Sequence, residues 1–583
     1  MVLLTAINAK YIHSNLAVYS LKAYAEKKYC GRVSLAEYTI NNSMEQILRG
    51  IYEKSPKVAA FSCYIWNVKM VLAVAENLKK ILPEVSVILG GPEVSYNAEE
   101  LLQKYPFVDL IMRGEGEEIF LEYMEWYAGE GRELKDIAGI TYRQGDSILS
   151  NVDRAVMDLN RVVFPYRDVT QLKNRILYYE TSRGCPFSCS YCLSSIDKKV
   201  CLRDFEKVKE ELQFFINHHV PQVKFVDRTF NCNHEHAYAI WKYIGEHDNG
   251  VTNFHFEISA DLLKEEDFLL FQNFRPGLIQ LEIGVQSTNP QTLQAIYRRM
   301  DLAKVKEAVL RVHEAGNIHQ HLDLIAGLPY EDYTSFRKSF NEVYEMKPDQ
   351  LQLGFLKILR GSHMGEVKDE YDVEYMSLPP YEVLQTRWLP YSDVLRLKQV
   401  EEMVEVYYNS FQFAASVAFL LNYHKSPFEL YEKLGEFYKK NGFFDSGISR
   451  FDRYNILQQY FEHEIEALPE ECATFRQVLT YDLYLRDNVK NPPAFAGGWD
   501  KEENERHHVF YEREAEEHRF LPDYVGYAPR QLSNMTHLRK FDLNMERLLI
   551  KGEILKEKAY YLFDYKNRNP LNHSAYVTKI MEL

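Results

Sequence analysis

Residues 180–194 read Glu180-Thr181-Ser182-Arg183-Gly184-Cys185-Pro186-Phe187-Ser188-Cys189-Ser190-Tyr191-Cys192-Leu193-Ser194. Three of the chain's 8 cysteines stand here in a C-x3-C-x2-C spacing. A tight loop of this kind turns three thiolates to one side, enough to hold three irons of a 4Fe-4S cubane and leave the fourth iron open to a small molecule. A structural zinc site wants four closed ligands, and the nearest histidines, His218 and His219, lie beyond a predicted helix. Cys185, Cys189 and Cys192 are therefore the expected metal ligands and the centre of the chemistry. Cys30, Cys63, Cys201, Cys232 and Cys472 are scattered, and no second cluster is expected.

The chain has 583 residues, 46% of them hydrophobic, which is enough for several cored domains. A net charge of −15 without a long basic run lacks the electrostatic footprint of a nucleic-acid binder. The first residues carry no basic leader, and no apolar run approaches the ~20 residues of a membrane span. Cysteines outside any disulfide framework suit a reducing compartment, so the cytoplasm is the expected address.

Apolar runs at 2–7, 32–38, 58–62, 85–89 and 110–112 alternate with helix-like stretches. Ser43 and Gln46 predict a capping box, and Val68, Val71, Leu72, Ala75 and Leu78 recur at helical spacing. This rhythm predicts an α/β, Rossmann-like, doubly wound parallel sheet over 1–150, closed by a hairpin at 139–149, with ligands beyond the strand C-termini. The loops that matter are then 8–13, 62–67, 90–95 and 113–117. Gly90 and Gly91 let backbone approach a ligand, and Gly114-Glu115-Gly116-Glu117 offers N–H groups at a helix start. A linker at 151–174 follows.

Six strand-like runs, at 176–181, 222–227, 253–258, 278–285, 319–326 and 350–358, predict a partial (β/α)6 barrel over 175–365 with its reaction centre at the strand C-termini. Residues 366–583 are rich in Tyr, Phe, Glu and Lys and read as mostly helical, with one long helix-like stretch at 401–423. The Pro- and Gly-containing segment 488–498 reads as a loop with a lid role.

The cysteine triplet, with Tyr191 before the third cysteine, resembles the cluster loop of radical S-adenosylmethionine (SAM) enzymes. In order, the four N-terminal loops resemble the cobalamin-binding domain that precedes the barrel in the cobalamin-dependent branch. This resemblance implies three cofactors: a 4Fe-4S cluster, SAM and cobalamin. It implies that the open iron chelates SAM, that a donor such as flavodoxin or ferredoxin supplies an electron, and that SAM is cleaved to a 5'-deoxyadenosyl radical. Carried over by position, Asn8, Ser62, Trp66, Asn67, Gly90, Gly91, Pro92, Glu93, Gly114, Glu115, Gly116 and Glu117 would line cobalamin. Tyr191, Asp227, Asn231, Glu257, Gln286, Ser287, Arg298 and Leu328 would surround SAM, with Glu257 toward the ribose, Arg298 toward the carboxylate and Leu328 toward the adenine. The chain lacks the D-x-H-x-x-G that supplies a cobalt histidine in other cobalamin proteins. The cobalt is therefore expected without one, with Trp66 or Asn67 rather than His13 at its lower face. Residues 366–583 resemble an uncharacterised domain of some members of the class.

The implied function is methyl transfer, through that radical and methylcobalamin, to an unactivated carbon or phosphorus centre of a small-molecule or peptide substrate. Radical cyclisation or rearrangement is the alternative on the same architecture. A non-catalytic cobalamin sensor is the alternative of another class, and the intact triplet argues against it. A tRNA methylthiotransferase would carry three further N-terminal cysteines, where this chain has Cys30 and Cys63.

Overall fold

The computed structural model describes residues 1–498 and 501–583. Two compact units make up the chain: Met1–Ile318 with Gly327–Asp332 and Phe355–Pro390, and His319–Ala326 with Tyr333–Gly354 and Tyr391–Leu583.

In the first unit, β1 (Val2–Asn8), β2 (Val33–Thr39), β3 (Val58–Ser62), β4 (Ser86–Gly90), β5 (Leu110–Met112), β6 (Ile140–Gln144) and β7 (Ser147–Ser150) form one sheet in the order β2-β1-β3-β4-β5-β6-β7. The first five strands are parallel, and β6 and β7 add the expected hairpin in antiparallel fashion. Helices cover both faces, so β1 and β3 are buried at every position. Helix Met44–Tyr52 opens on the reciprocal Ser43–Gln46 capping box, and helix Val68–Ile81 buries Val68, Val71, Val74, Ala75 and Leu78. Strand order reverses between β1 and β3, which sets the loops after these strands on either side of one crevice.

The barrel begins with β8 (Ile176–Tyr179), then a short antiparallel pair, β9 (Ser182–Arg183) and β10 (Cys201–Leu202). Next come β11 (Gln222–Phe225), β12 (Asn253–Ile258) and β13 (Ile279–Gln286), which lie parallel beside β8. Alternation decides the two faces. On β13, Ile279, Leu281, Ile283 and Val285 are buried, whereas Gln280, Glu282, Gly284 and Gln286 are only partly so. Phe215 and Trp241, from helices Phe205–Asn217 and His234–Glu246, close over the apolar face against Tyr179 and Phe256. The segment Phe355–Pro390 adds the two-stranded pair β16 (Glu374–Tyr375) and β17 (Val383–Gln385).

The second unit holds β14 (His319–Ala326) and nearly all of β15 (Gln350–Phe355), two of the six strands expected over 175–365. Between them, helix Tyr333–Tyr344 packs Phe340 against Phe428 and Tyr431. The Asn409 amide bonds both the N–H and the C=O of Leu351, each at 2.9 Å. Helices dominate up to Met535, as expected. The sequence reading missed the antiparallel sheet of β18 (Thr536–Leu543), β19 (Lys556–Arg568) and β20 (Ala575–Ile580) that follows. The helix expected over 401–423 is interrupted: a π-helical turn at Glu405–Asn409 and Phe411 at φ 55° separate Tyr391–Val404 from Ala414–Leu420. The 488–498 loop is anchored, with Phe495 buried on Tyr454 and Arg539 donating to the Ala496 carbonyl at 2.5 Å. No described helix is long and apolar enough to cross a membrane.

Candidate functional site

The cysteine loop hangs from the β9–β10 pair and is braced from beneath by Asp227. This carboxylate accepts from the Thr181 N–H at 3.0 Å, the Thr181 hydroxyl at 2.6 Å and the Ser182 hydroxyl at 2.7 Å. Burial pushes the Asp227 carboxyl up to about 6. Gly184 stands at φ +90°, where a Cβ would lie 2.3 Å from the Lys199 carbonyl oxygen, so glycine is required for the returning chain to close over the loop. In that closure the Asp197 carbonyl accepts from the Cys185 N–H at 2.9 Å, and the Ser195 hydroxyl donates to the Cys192 carbonyl at 2.6 Å. Ser190 fixes the far side, donating to Ile296 at 2.9 Å and accepting from Met364 at 2.8 Å.

Cys185 and Cys189 are buried, Cys192 is half-buried, and all three thiols are free. The Thr229 hydroxyl lies 3.6 Å from Cys185 Sγ, and Arg298 Nη1 lies 3.6 Å from Cys189 Sγ. Burial opposes charge on Arg298, but Tyr191 and Cys189 outweigh it and hold the guanidinium cationic. Three free thiols on one loop, with a cation beside one of them to offset thiolate charge, fit the 4Fe-4S cluster. Arg298 also donates through Nη2 to the Gly284 carbonyl. Gln286, at φ 72°, folds its amide over Gly284, where a Cβ would meet Nε2 at 2.2 Å. The turn Phe230–Cys232 brings Cys232 within electrostatic range of Cys185, a proximity its sequence position did not suggest. Burial, with Cys185 and Asp227, pushes its thiol up to about 11.

The half-buried face of the barrel strands is charged. Lys224 on β11 lies 2.8 Å from Glu282 and 3.8 Å from Glu257, and His255 Nε2 lies 2.9 Å from Glu282. Burial would raise the Glu282 carboxyl, but His255 and Lys224 hold it well below the usual range. Of these four, sequence reasoning found Glu257. The signal for the others was a polar residue at alternate positions, where a filled barrel carries branched apolar ones.

Several expected contact residues have their side chains committed to the fold. Asn231 exchanges two hydrogen bonds with the Ser259 backbone, both at 2.9 Å, and Ser287 donates to Glu331 at 2.7 Å. Leu328 is fully buried. Asn67, also fully buried, accepts from Tyr64 N at 2.8 Å and donates to the carbonyls of Ile7 and Ser62 at 2.9 Å each. Asp227, Asn231, Ser287 and Asn67 thus hold neighbouring loop segments through these side-chain hydrogen bonds.

In the N-terminal domain, Asn15 joins the loops after β1 and β3 by donating to Ser62 Oγ at 3.2 Å and Asn8 Oδ1 at 3.4 Å. Gly91, at φ +116°, brings the loop after β4 so close that a Cβ would lie 2.5 Å from the Cys63 carbonyl oxygen. Pro92 then opens helix Pro92–Ser95, and Glu93 accepts from the Tyr381 hydroxyl. Trp66 is exposed and stacks on Tyr64 at 4.4 Å and 6°, with Tyr11 and Ile12 exposed on the loop after β1. Close-packed loop backbones beside exposed aromatic and apolar side chains fit a broad, flat ring such as the corrin of cobalamin. Gly114 and Gly116 precede Glu117, and the carboxylates of Glu115 and Glu117 are turned onto Arg183. His13 Nδ1 lies 2.8 Å from the Tyr178 hydroxyl, which ties this domain to β8, and burial, with Lys10 and Lys224, lowers its basicity.

Three family descriptions match the chain: B12 binding domain over residues 2–124, Radical SAM superfamily over 179–343, and a protein of unknown function, DUF4080, over 369–563. The cobalamin-dependent radical SAM methyltransferase TokK of Streptomyces tokunonensis is 26% identical over 445 residues, covering 72% of this chain and 63% of its own. An anaerobic magnesium-protoporphyrin IX monomethyl ester cyclase of Cereibacter sphaeroides is 22% identical over 344 residues, covering 55% of this chain and 56% of its own. The chain thus spans less than two thirds of the length of either relative. The solved structure of the cobalamin-dependent SAM radical enzyme OxsB, with aqua-cobalamin and SAM bound, has the same fold: TM-score 0.58 at 16% identity, over 83% of this chain and 79% of that one. With a B12 binding domain match and a radical SAM match that carries the triple-cysteine loop, the chain has the domain layout of the cobalamin-dependent radical SAM enzymes.

Proposed function

We propose that this enzyme transfers a methyl group to an unactivated carbon or phosphorus centre of a small-molecule or peptide substrate. The observation that carries the reading is the joining of the B12-domain loops to the triple-cysteine loop and β8 through Arg183 and the His13–Tyr178 pair. When bound, the cofactors supply a transferable methyl group and a one-electron route to a substrate radical. Cys185, Cys189 and Cys192 would hold three irons, and Arg298 would offer its guanidinium to a carboxylate beside Cys189. Trp66, Tyr11 and Ile12 would cover the corrin and exclude water, while Lys224, His255 and Glu282 give the barrel a polar wall that orients substrate. An electron donor such as flavodoxin or ferredoxin would serve it in the cytoplasm.

The likeness to TokK supports methyl transfer. The likeness to the Cereibacter cyclase supports a second reading, radical cyclisation or rearrangement without methyl transfer. Turnover with methyl-labelled SAM, on a carbon substrate chosen from gene context, distinguishes them. Methyl transfer gives labelled product with S-adenosylhomocysteine and 5'-deoxyadenosine in about equal amounts, one SAM serving each role. Unlabelled product with 5'-deoxyadenosine and no S-adenosylhomocysteine would replace it with the second reading.

A further inference from the structure

Arg183 immediately precedes the Gly184-Cys185 step, and three carboxylates share its guanidinium. Nε lies 2.9 and 3.0 Å from the two Glu180 oxygens, and Nη2 lies 2.9 Å from Glu180 Oε2 while also reaching Glu117 Oε1. Nη1 lies 3.4 Å from both Glu117 Oε2 and Glu115 Oε1. Glu180 follows β8 in the barrel, whereas Glu115 and Glu117 stand at the start of helix Gly116–Tyr127, in the loop after β5 of the B12-binding sheet. Arg183 and Glu117 keep 18% and 6% of their side-chain surface, so the pairing is shielded from solvent. The second Glu115 oxygen accepts from Met157 N at 2.7 Å, which fixes that carboxylate in place.

One planar fork therefore spans two loops that serve different cofactors. A lysine ammonium, with a single nitrogen, cannot grip Glu180 along one edge and Glu117 along the other. A cofactor bound to either loop restrains that loop further. Once one loop is ordered, its carboxylates or its guanidinium stand where the other loop needs them, and the second binding event loses less conformational freedom.

We infer that Arg183 is a positioning residue that couples the two cofactor sites, so that filling the cluster loop tightens cobalamin binding and cobalamin protects the cluster. Such coupling is reciprocal by thermodynamic necessity. A plain structural brace would instead lower stability and weaken both sites without linking them.

Cobalamin affinity is measured by visible-absorbance titration of the full chain, cluster-free and cluster-reconstituted, for the wild type, Arg183→Lys and Glu117→Gln. The wild type should bind cobalamin about tenfold more tightly with the cluster present, within the usual range of coupling between sites. Both variants should bind it equally with and without the cluster. In the reciprocal arm, cobalamin should slow removal of iron by a chelator from the wild type and not from the variants. Should Arg183→Lys fail to fold by circular dichroism, Glu117→Gln carries the test, since it keeps the side-chain shape and removes one charge from a cluster of three carboxylates around one cation. Equal cobalamin affinity in the two wild-type states would overturn the inference, as would a wild-type ratio in the variants. Loss of cluster assembly in every variant would also overturn it, by making Arg183 an assembly residue instead.

Discussion

Gly184→Ala tests the cysteine loop at its tightest point. A residue with a side chain at φ +90° costs about 1–2 kcal/mol in backbone strain. The new Cβ would also lie 2.3 Å from the Lys199 carbonyl oxygen and 3.0 Å from that of Asp197. Both are backbone atoms, and the Asp197 carbonyl already accepts from the Cys185 N–H, so neither neighbour yields without opening the loop. Crowding of this kind costs about 1–3 kcal/mol, for a total of about 2–5 kcal/mol against closure. Gly31→Ala is the matched control: at φ +74° it has the same backbone handedness and nothing within 4 Å. The difference between the variants isolates the steric term, about 1–3 kcal/mol, or a factor of about 5–150 in closed loop. Iron and sulfide per chain after anaerobic reconstitution, beside thermal unfolding, read it out. Gly184→Ala should lose most of its iron while Gly31→Ala keeps the wild-type content. Wild-type iron in Gly184→Ala, with a melt no lower than that of Gly31→Ala, would refute the reasoning.

Glu282→Gln should lower apoprotein stability by about 2–3 kcal/mol at pH 7, because Lys224 and His255 then face each other without their shared anion. The folded Glu282 carboxyl titrates below its unfolded value, so this contribution is complete above pH ~4.5 and fades as pH falls. Melts of wild type and variant should therefore converge in acid, and a gap that stays constant down to pH ~3 contradicts the assignment. His13→Ala should leave the electron paramagnetic resonance spectrum of bound cob(II)alamin unchanged and free of nitrogen superhyperfine splitting, since the His13 ring is engaged with Tyr178. Splitting that disappears in the variant would make His13 the lower ligand.

Where local spacing controls structure, the sequence was informative. The C-x3-C-x2-C loop, the Ser43–Gln46 cap, the parallel strand rhythm and the 139–149 hairpin each depend on residues a few positions apart. What escaped depends on partners far along the chain. Glu117 and Arg183 are 66 residues apart, and Glu93 meets Tyr381 across 288. Asp227 and Asn231 were found by position, but their bonds to Thr181 and to the Ser259 backbone were not, because the partners lie 46 and 28 residues away. The β18–β20 sheet was missed although Ala559-Tyr560-Tyr561-Leu562-Phe563 reads as a strand core. Its strands pair over gaps longer than a hairpin turn, and charged residues flank the run.

The place of β14 and β15 in the second unit bears on how this protein can be divided. A gene shortened to residue 365 would still encode β14, helix Tyr333–Tyr344 and β15, but not Phe428, Tyr431 or Asn409. The aromatic side of that helix would then face water, and Leu351 would lose both of its amide partners. Residues of the DUF4080 region thus complete the packing of helix Tyr333–Tyr344 and the hydrogen bonding of β15, and a chain cut at residue 365 should unfold at a lower temperature than the whole.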